Sequence, residues 1–218
     1  MLMKNYRTWV FDCDGVILDS NKVKTDAFYD AAKTYGEEAA AALIEYHVQH
    51  GGISRYTKFE HFLRHIIGRS EILSSELDSL LEAYAQGVGQ GLMNCRIASE
   101  LSELKKQTGN SRWLIVSGGD QAELRSVFDS RGLSSLFEGG IFGSPDDKDC
   151  ILKRELQSGC IELPAVFVGD SQYDYEAAFR AGLDFIYLSD WSESSFSFES
   201  ATIRTGSVRS LVGIGIDF

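Results

Sequence analysis

The chain has 218 residues, 44% of them hydrophobic and 24% charged, which suits one sizeable globular unit or a core with a smaller insert. Its formal net charge of -11 argues against generic binding to nucleic acid or to an anionic membrane, while leaving local phosphate sites open. No run is long and apolar enough to span a bilayer, residues 1–7 lack the apolar core of a secretory leader, and Cys13, Cys95, Cys150 and Cys160 form no CxxC pair, so a cytoplasmic protein with reduced thiols, no disulfides and no zinc site is expected.

Residues 8–11 read as a strand that stops at Asp12-Cys13-Asp14-Gly15. Side chains alternate along a strand, so Asp12 and Asp14 would face the same way if it continued. Two such carboxylates repel unless a cation or a shared proton relieves them, and oxygen-only ligands suit a hard ion such as Mg2+; a solvated acidic turn is the alternative. Cys13, between them, reads as a small strand residue whose thiol the carboxylates push up.

Residues 22–91 then read as helices throughout. Val23, Ala27, Phe28, Ala31 and Ala32 repeat at helical spacing. Residues 37–50 are alanine-rich and stop at Gly51-Gly52. Thr57 and Glu60 form a capping-box pattern ahead of the stripe Phe59, Phe62, Leu63, Ile66 and Ile67, which ends at Gly68. Leu77, Leu80, Leu81 and Tyr84 make another stripe, and Gly87, Gly89 and Gly91 would suit a flexible return. His47, His50, His61 and His65 all fall here; His61 and His65 have the spacing of a helical metal pair but no third ligand, so packing or surface roles are expected.

Beyond the insert, helix-like and strand-like segments alternate. Strands are expected at 113–116, 140–142, 165–168 and 184–188, and helices at 101–106, after the Asp120/Glu123 capping pattern, at 148–156 and at 173–181. A final element is placed near 208–216. The pattern indicates an α/β fold: a Rossmann-like parallel sheet, residues 1–20 and 92–218, with an inserted all-helical cap, residues 21–91. Ligands in such folds sit beyond the carboxyl ends of the strands.

Three further features fall there. Ser117-Gly118-Gly119 offers a hydroxyl and free N–H groups to a phosphate oxygen, or is a plain turn. Lys148 opens a helix and could neutralise anionic oxygens, or coat the surface. Gly169-Asp170-Ser171, with Asp174 four residues on, adds a second acidic cluster; Asp170 as a helix N-cap is the bland alternative. Together the four strand ends carry the parts phosphoryl transfer needs: a nucleophile, charge neutralisation and a metal clamp.

Phe11-Asp12-Cys13-Asp14-Gly15-Val16 through Asp19-Ser20, then Ser117, Lys148 and Gly169-Asp170-Ser171 with Asp174, resemble the four motifs of the haloacid dehalogenase-like hydrolase superfamily, in order and over essentially the whole chain. The insert resembles the helical cap of its phosphoglycolate phosphatase and β-phosphoglucomutase branch. Val16 stands where many members have Thr, which decides little. The resemblance implies that Asp12 attacks phosphorus and that Asp14 serves as general acid and base. It implies Mg2+ held by Asp12, the main-chain carbonyl of Asp14, and Asp170, with Asp174 in or near its shell. Ser117, the Gly118 amide and Lys148 would hold the phosphoryl group. Asp14 favours phosphate esters over halides.

The expected function is therefore Mg2+-dependent hydrolysis of a small phosphorylated metabolite, such as a sugar phosphate, through an aspartyl-phosphate. A phosphosugar mutase is the alternative enzyme, and a phospho-receiver switch the alternative of a different class, disfavoured because it needs no cap. The Gly-Gly-Ile-Ser-Arg-Tyr stretch also resembles hydrolases of bacterial surface-sugar biosynthesis. Specificity is placed on Arg55, Tyr56 and Lys58, Arg55 suiting a carboxylate or second phosphate; alternatively Arg55 and Lys58 coat a helix start.

Overall fold

A computed structural model describes residues 6–99, 101–193, 205–209, 211 and 214. β1 (Thr8–Phe11), β2 (Arg112–Asp120), β3 (Ile141–Ser144), β4 (Ala165–Gly169), β5 (Asp184–Leu188) and β6 (Thr205–Val208) form one sheet. The order is β3-β2-β1-β4-β5-β6 and every pairing is parallel. Continuous apolar strands follow from burial on both faces. Trp9 and Phe11 belong to one core cluster with Trp113, Leu101, Leu104 and Phe128. Val10, between them, points to the other face and packs with Leu114, Phe167, Ile151 and Ala177. The helices covering these faces are α5 (Leu101–Gln107) and α6 (Gln121–Ser130) on one side, and α7 (Lys148–Gln157) and α8 (Gln172–Ala181) on the other. Each fully buried aromatic or aliphatic side chain contributes roughly 1.5–3 kcal/mol.

Register positions the site. Phe11 lies level with Ile115 of β2 and Val168 of β4, and the Asp12 N–H donates to the Val168 carbonyl at 2.9 Å. Asp12 and Asp170 therefore leave the sheet at one edge, beside Ser117 of β2, a strand that runs on to Asp120 along β3 where the sequence placed its end at 116. The chain order reverses on either side of β1, which makes this edge the crevice where parallel α/β sheets bind ligands.

The insert comprises α1 (Asn21–Ala32), α2 (Glu37–Gln49), α3 (Arg55–His61), which continues as a wider π turn over Phe62–Ile66, and α4 (Ser74–Asn94). Its interior centres on Phe28, whose ring centroid lies 5.1 Å from Phe59 and 4.4 Å from Tyr84. The two connections to the sheet domain run side by side: the Asp19 N–H donates to the Arg96 carbonyl at 2.9 Å and the Ala98 N–H to Ile17 at 2.8 Å.

Three local expectations are corrected. Gly87, Gly89 and Gly91 lie inside α4 rather than in a flexible return; a Cβ on Gly91 would come within 2.2 Å of Val23, and one on Gly87 within 3.2 Å of Ala27. Two of these glycines thus let α1 and α4 approach, a gain that offsets their low helix propensity. The cap of α3 is Ser54, whose hydroxyl accepts from the Thr57 N–H, so Thr57 sits within the first turn instead of before it. On α1 the buried position is Lys24, with Val23 only partly buried. Toward the end of the chain, β6 stops at Val208, and Leu211 and Ile214 are buried and helical. The rest of the expected 208–216 element lies outside the described residues.

Candidate active site

Asp12 follows the last residue of the central strand and is 2% exposed. Its Oδ1 accepts from the Cys13 N–H at 2.7 Å, and its Oδ2 lies 2.9 Å from Lys148 Nζ. Lys148, the first residue of α7, also pairs with Asp174 Oδ1, so one buried ammonium bridges a carboxylate at the end of β1 and one in the first turn of α8 (Gln172–Ala181). Asp174 Oδ2 accepts from Ser171 Oγ at 2.7 Å and from the Ser171 and Asp170 N–H groups. Ser171 and Asp174 form the capping box of α8, so the N-cap role considered for Asp170 belongs to Ser171. Asp170 is left to face the pocket, where Asn21 Nδ2 donates to it at 2.7 Å. Gly15, at φ 71°, passes so close that a Cβ there would lie 2.0 Å from Asp170 Oδ2.

Among the described residues, Asp12, Asp170 and Asp174 form a cluster whose ligand atoms all lie within 4.8 Å of one another. Burial pushes the Asp12 carboxyl up; Lys148 offsets part of this, and Asp174 and Asp14 add to it. Burial, then Asp174 and Asp12, push Asp170 well above the ordinary carboxylate range. A bound divalent cation would reverse both pressures, and three oxygen donors fit a hard ion such as Mg2+. The Asp14 carboxylate stands apart from this cluster. It accepts from Ser20 Oγ at 2.6 Å and pairs with Lys24 Nζ at 2.5 Å. Burial raises its pKa, but the charge and hydrogen bond of Lys24, with Ser20, bring the balance below the usual value. The two aspartates thus occupy different electrostatic environments, the pattern expected where two carboxylates do different work.

The β2 end supplies the other wall. Gly118 and Gly119 line the pocket; Ser117 is buried and its Oγ accepts from the Gly119 N–H at 3.1 Å. Gly118 also receives the helical insert: a Cβ would stand 2.2 Å from the Gly52 carbonyl oxygen. Gly51, Gly52 and Ile53, at the tight turn after α2, form the roof together with residues of α1, α2 and α3.

The three specificity candidates fare differently. Tyr56 is 36% exposed and donates to Asp120 Oδ2 at 3.1 Å. Arg55 lines the pocket, but its guanidinium pairs with Glu123 on α6 and lies 4.8 Å from the Tyr84 ring centroid. In place of a free cation for a substrate anion, Arg55 joins insert to sheet domain with its charge already matched. Lys58 is 2% exposed, faces the pocket and bonds His47 Nδ1 at 2.7 Å. His61 stacks on Tyr46, with the His65 ring tilted beside it, and neither belongs to a metal cluster among the described residues.

Sequence reasoning passed over Asn21, Lys24 and the pocket role of His47. A signal for Lys24 existed: Lys24, Ala27, Phe28 and Ala31 lie at i, i+3, i+4 and i+7, so a cation falls on the buried stripe of α1.

A family model for haloacid dehalogenase-like hydrolases matches residues 6–182. No curated protein matches the sequence. Among solved structures, the chain is similar to a hydrolase from Pseudomonas syringae, with 18% identity, 95% of each chain covered and a TM-score of 0.73. It is similar to a phosphoglycolate phosphatase described as putative, from Lactobacillus plantarum, with 18% identity, 96% of this chain and 97% of that one covered and a TM-score of 0.68. It is also similar to CbbY from Rhodobacter sphaeroides in complex with phosphate, with 17% identity, 96% of each chain covered and a TM-score of 0.69. At these identities the structures establish the shared fold.

Proposed function

Because the chain belongs to the haloacid dehalogenase-like hydrolase family, we propose that it is a phosphatase acting on a small phosphate monoester, with Asp12 as nucleophile and the helices of residues 21–91 as the cap over the site. The observation that carries this reading is the pairing of Asp12 with a second carboxylate, Asp14, held separately by Ser20 and Lys24. A halide leaving group needs no proton donor; an alkoxide does.

In the first half, an Asp12 carboxylate oxygen attacks phosphorus and the bond to the leaving oxygen breaks as Asp14, which the incoming anionic phosphate must first bring to its protonated form against the pull of Lys24, gives that oxygen a proton. In the second half, Asp14 takes a proton from water, the water oxygen attacks phosphorus, and the bond to Asp12 breaks to release phosphate. Lys148, fixed between Asp12 and Asp174, balances charge on the phosphoryl oxygens, the Gly118 amide lines their berth, and Ser117 is buried next to it. Asp12 and Asp170, with Asp174 and the main-chain carbonyl of Asp14, would hold Mg2+, which when bound supplies the positive charge that lets a carboxylate approach an anionic phosphate. The acidic surface and the small, roofed site favour a free metabolite over a macromolecular substrate. No helix of the described residues is long and apolar enough to cross a membrane.

The test is a screen of phosphorylated metabolites for Mg2+-dependent phosphate release, with Asp12→Asn as control. Release that the variant abolishes supports the reading. Equal release by the variant, or bisphosphate-dependent isomerisation without net release, overturns it.

A further inference from the structure

The pocket contains a buried cation that the proposed chemistry does not use. Hydrogen-bond directions fix its state. Thr25 Oγ1 donates to Glu193 Oε2 at 2.7 Å, so its one proton is committed there. At 3.2 Å from His47 Nε2, that hydroxyl oxygen can then only accept, which puts the ring proton on Nε2. His47 Nδ1 is consequently a lone pair, and Lys58 Nζ donates to it at 2.7 Å. The bonded partner of Lys58 is therefore a neutral ring. Burial, with Lys58 and Lys24 beside it, drives the His47 pKa down to about 2, in keeping with that tautomer.

The other pocket cations are matched. Lys24 pairs with Asp14, Arg55 with Glu123, and Lys148 with Asp12 and Asp174. Among the described residues, Lys58 has no carboxylate within ion-pair distance and lies 5.5 Å from the Phe28 ring centroid. A buried ammonium left this way is costly, and burial followed by Lys24 pulls its pKa down to about 7. An anionic group entering the pocket would relieve that cost. The location says which part of a ligand would supply it. Lys58 is held within the insert, by His47 on α2 and beside Phe28 on α1, the helix that also carries Lys24, the partner of Asp14, whereas Lys148 belongs to the sheet domain. Lys58 thus lies in the roof of the pocket, where the organic part of a substrate would sit, and not in the phosphoryl berth.

We propose that Lys58 is a specificity-determining residue that binds a second anionic group, carboxylate or phosphate, on the organic part of the substrate. His47 holds the ammonium in place from behind, and Thr25 and Glu193 fix the ring. This rests on the phosphate-ester reading above and narrows its substrates to those with two anionic groups.

Three probes that share one phosphate ester test it: ethyl phosphate, with no second anion; phosphoglycolate, with a carboxylate; and propane-1,3-diol bisphosphate, with a second phosphate. The readout is the ratio of kcat/KM for each doubly anionic probe to that for ethyl phosphate, in wild type, Lys58→Met and Lys58→Arg. The expected wild-type ratio for at least one doubly anionic probe is about tenfold or more, the scale of a charged hydrogen bond in a buried site. Lys58→Met should bring that ratio to about one, and Lys58→Arg should restore part of it. Which probe responds identifies the second group. A wild-type ratio near one for both probes overturns the proposal, as does a ratio that Lys58→Met leaves intact. If no probe is hydrolysed, calorimetric affinities of the same three probes decide the Lys58 question separately from the phosphatase reading: a doubly anionic preference lost in Lys58→Met supports it, and equal binding overturns it.

Discussion

Replacing Glu123 by Leu strips Arg55 of its counter-charge where little water can take its place. The two side chains are 7% and 19% exposed, and they join α3 of the cap to α6 of the sheet domain. Removing one partner of a buried pair costs about 3–5 kcal/mol, because the other charge is left without compensation. Arg55 is the more buried partner, so Glu123→Leu should sit in that range. Arg55→Met should cost less, about 2 kcal/mol, since Glu123 keeps some access to water. In a chain of this length each kcal/mol moves Tm by about 2–4 °C, which puts Glu123→Leu roughly 10 °C below wild type. The double variant leaves no orphan charge and should be more stable than Glu123→Leu alone. Calorimetric melting of the four proteins closes a double-mutant cycle, with an expected coupling of about 2 kcal/mol or more. Additive effects would refute the pairing. So would a fully stable Glu123→Leu protein whose Arg55→Met counterpart loses affinity for phosphorylated probes, the outcome expected if Arg55 faced substrate.

Gly118→Ala places a methyl against the Gly52 carbonyl, a backbone group that cannot swing aside, and should lower kcat/KM at least about tenfold, whereas Gly119→Ala meets only the Leu124 side chain and should be milder; equal activities would contradict the close approach of cap and core. Lys58 holds fewer protons folded than unfolded between about pH 7 and the ordinary lysine range. The stability of wild type relative to Lys58→Met should therefore rise with pH across that window, by up to about 1.4 kcal/mol per unit, and be least favourable near pH 7 and below; parallel urea-unfolding curves at pH 7, 8 and 9 would contradict the burial of an unpaired ammonium. Mg2+ should raise Tm in a concentration-dependent way, the stabilisation reaching about 2.7 kcal/mol at a hundred times its Kd, and Asp170→Ala should abolish the shift; an unchanged shift in that variant would place the ion elsewhere.

The sheet was legible because its signal is local. Apolar runs such as 165–168 stop abruptly at Gly169-Asp170, and parallel register then brings those stops to one edge. Asp12, Asp14, Ser117, Gly118, Lys148, Asp170 and Asp174 could be picked out for the same reason: each lies in or just beyond the carboxyl-terminal part of a strand, or in the first turn of a helix. The roof was less legible because its logic is pairwise and distant in sequence. Arg55 looked like a substrate cation until Glu123, 68 positions on, proved to hold it. Lys24, on the buried stripe of α1, was passed over, and His47 was expected only to pack or to lie on the surface, because helix periodicity reports burial, not what the buried atom faces. The glycines of α4 read as a break because a propensity scale cannot see Val23 and Ala27 packed against them.

The central claim is that Asp12 carries the phosphoryl group between substrate and water. Brief incubation with Mg2+ and radiolabelled acetyl phosphate, an acid quench and peptide mapping would locate the acyl-phosphate directly. The account predicts a transient label on Asp12 that hydroxylamine removes and that Asp12→Asn never acquires. A label on another residue, or phosphate release in rapid-quench runs with no labelled protein at any time, would contradict it.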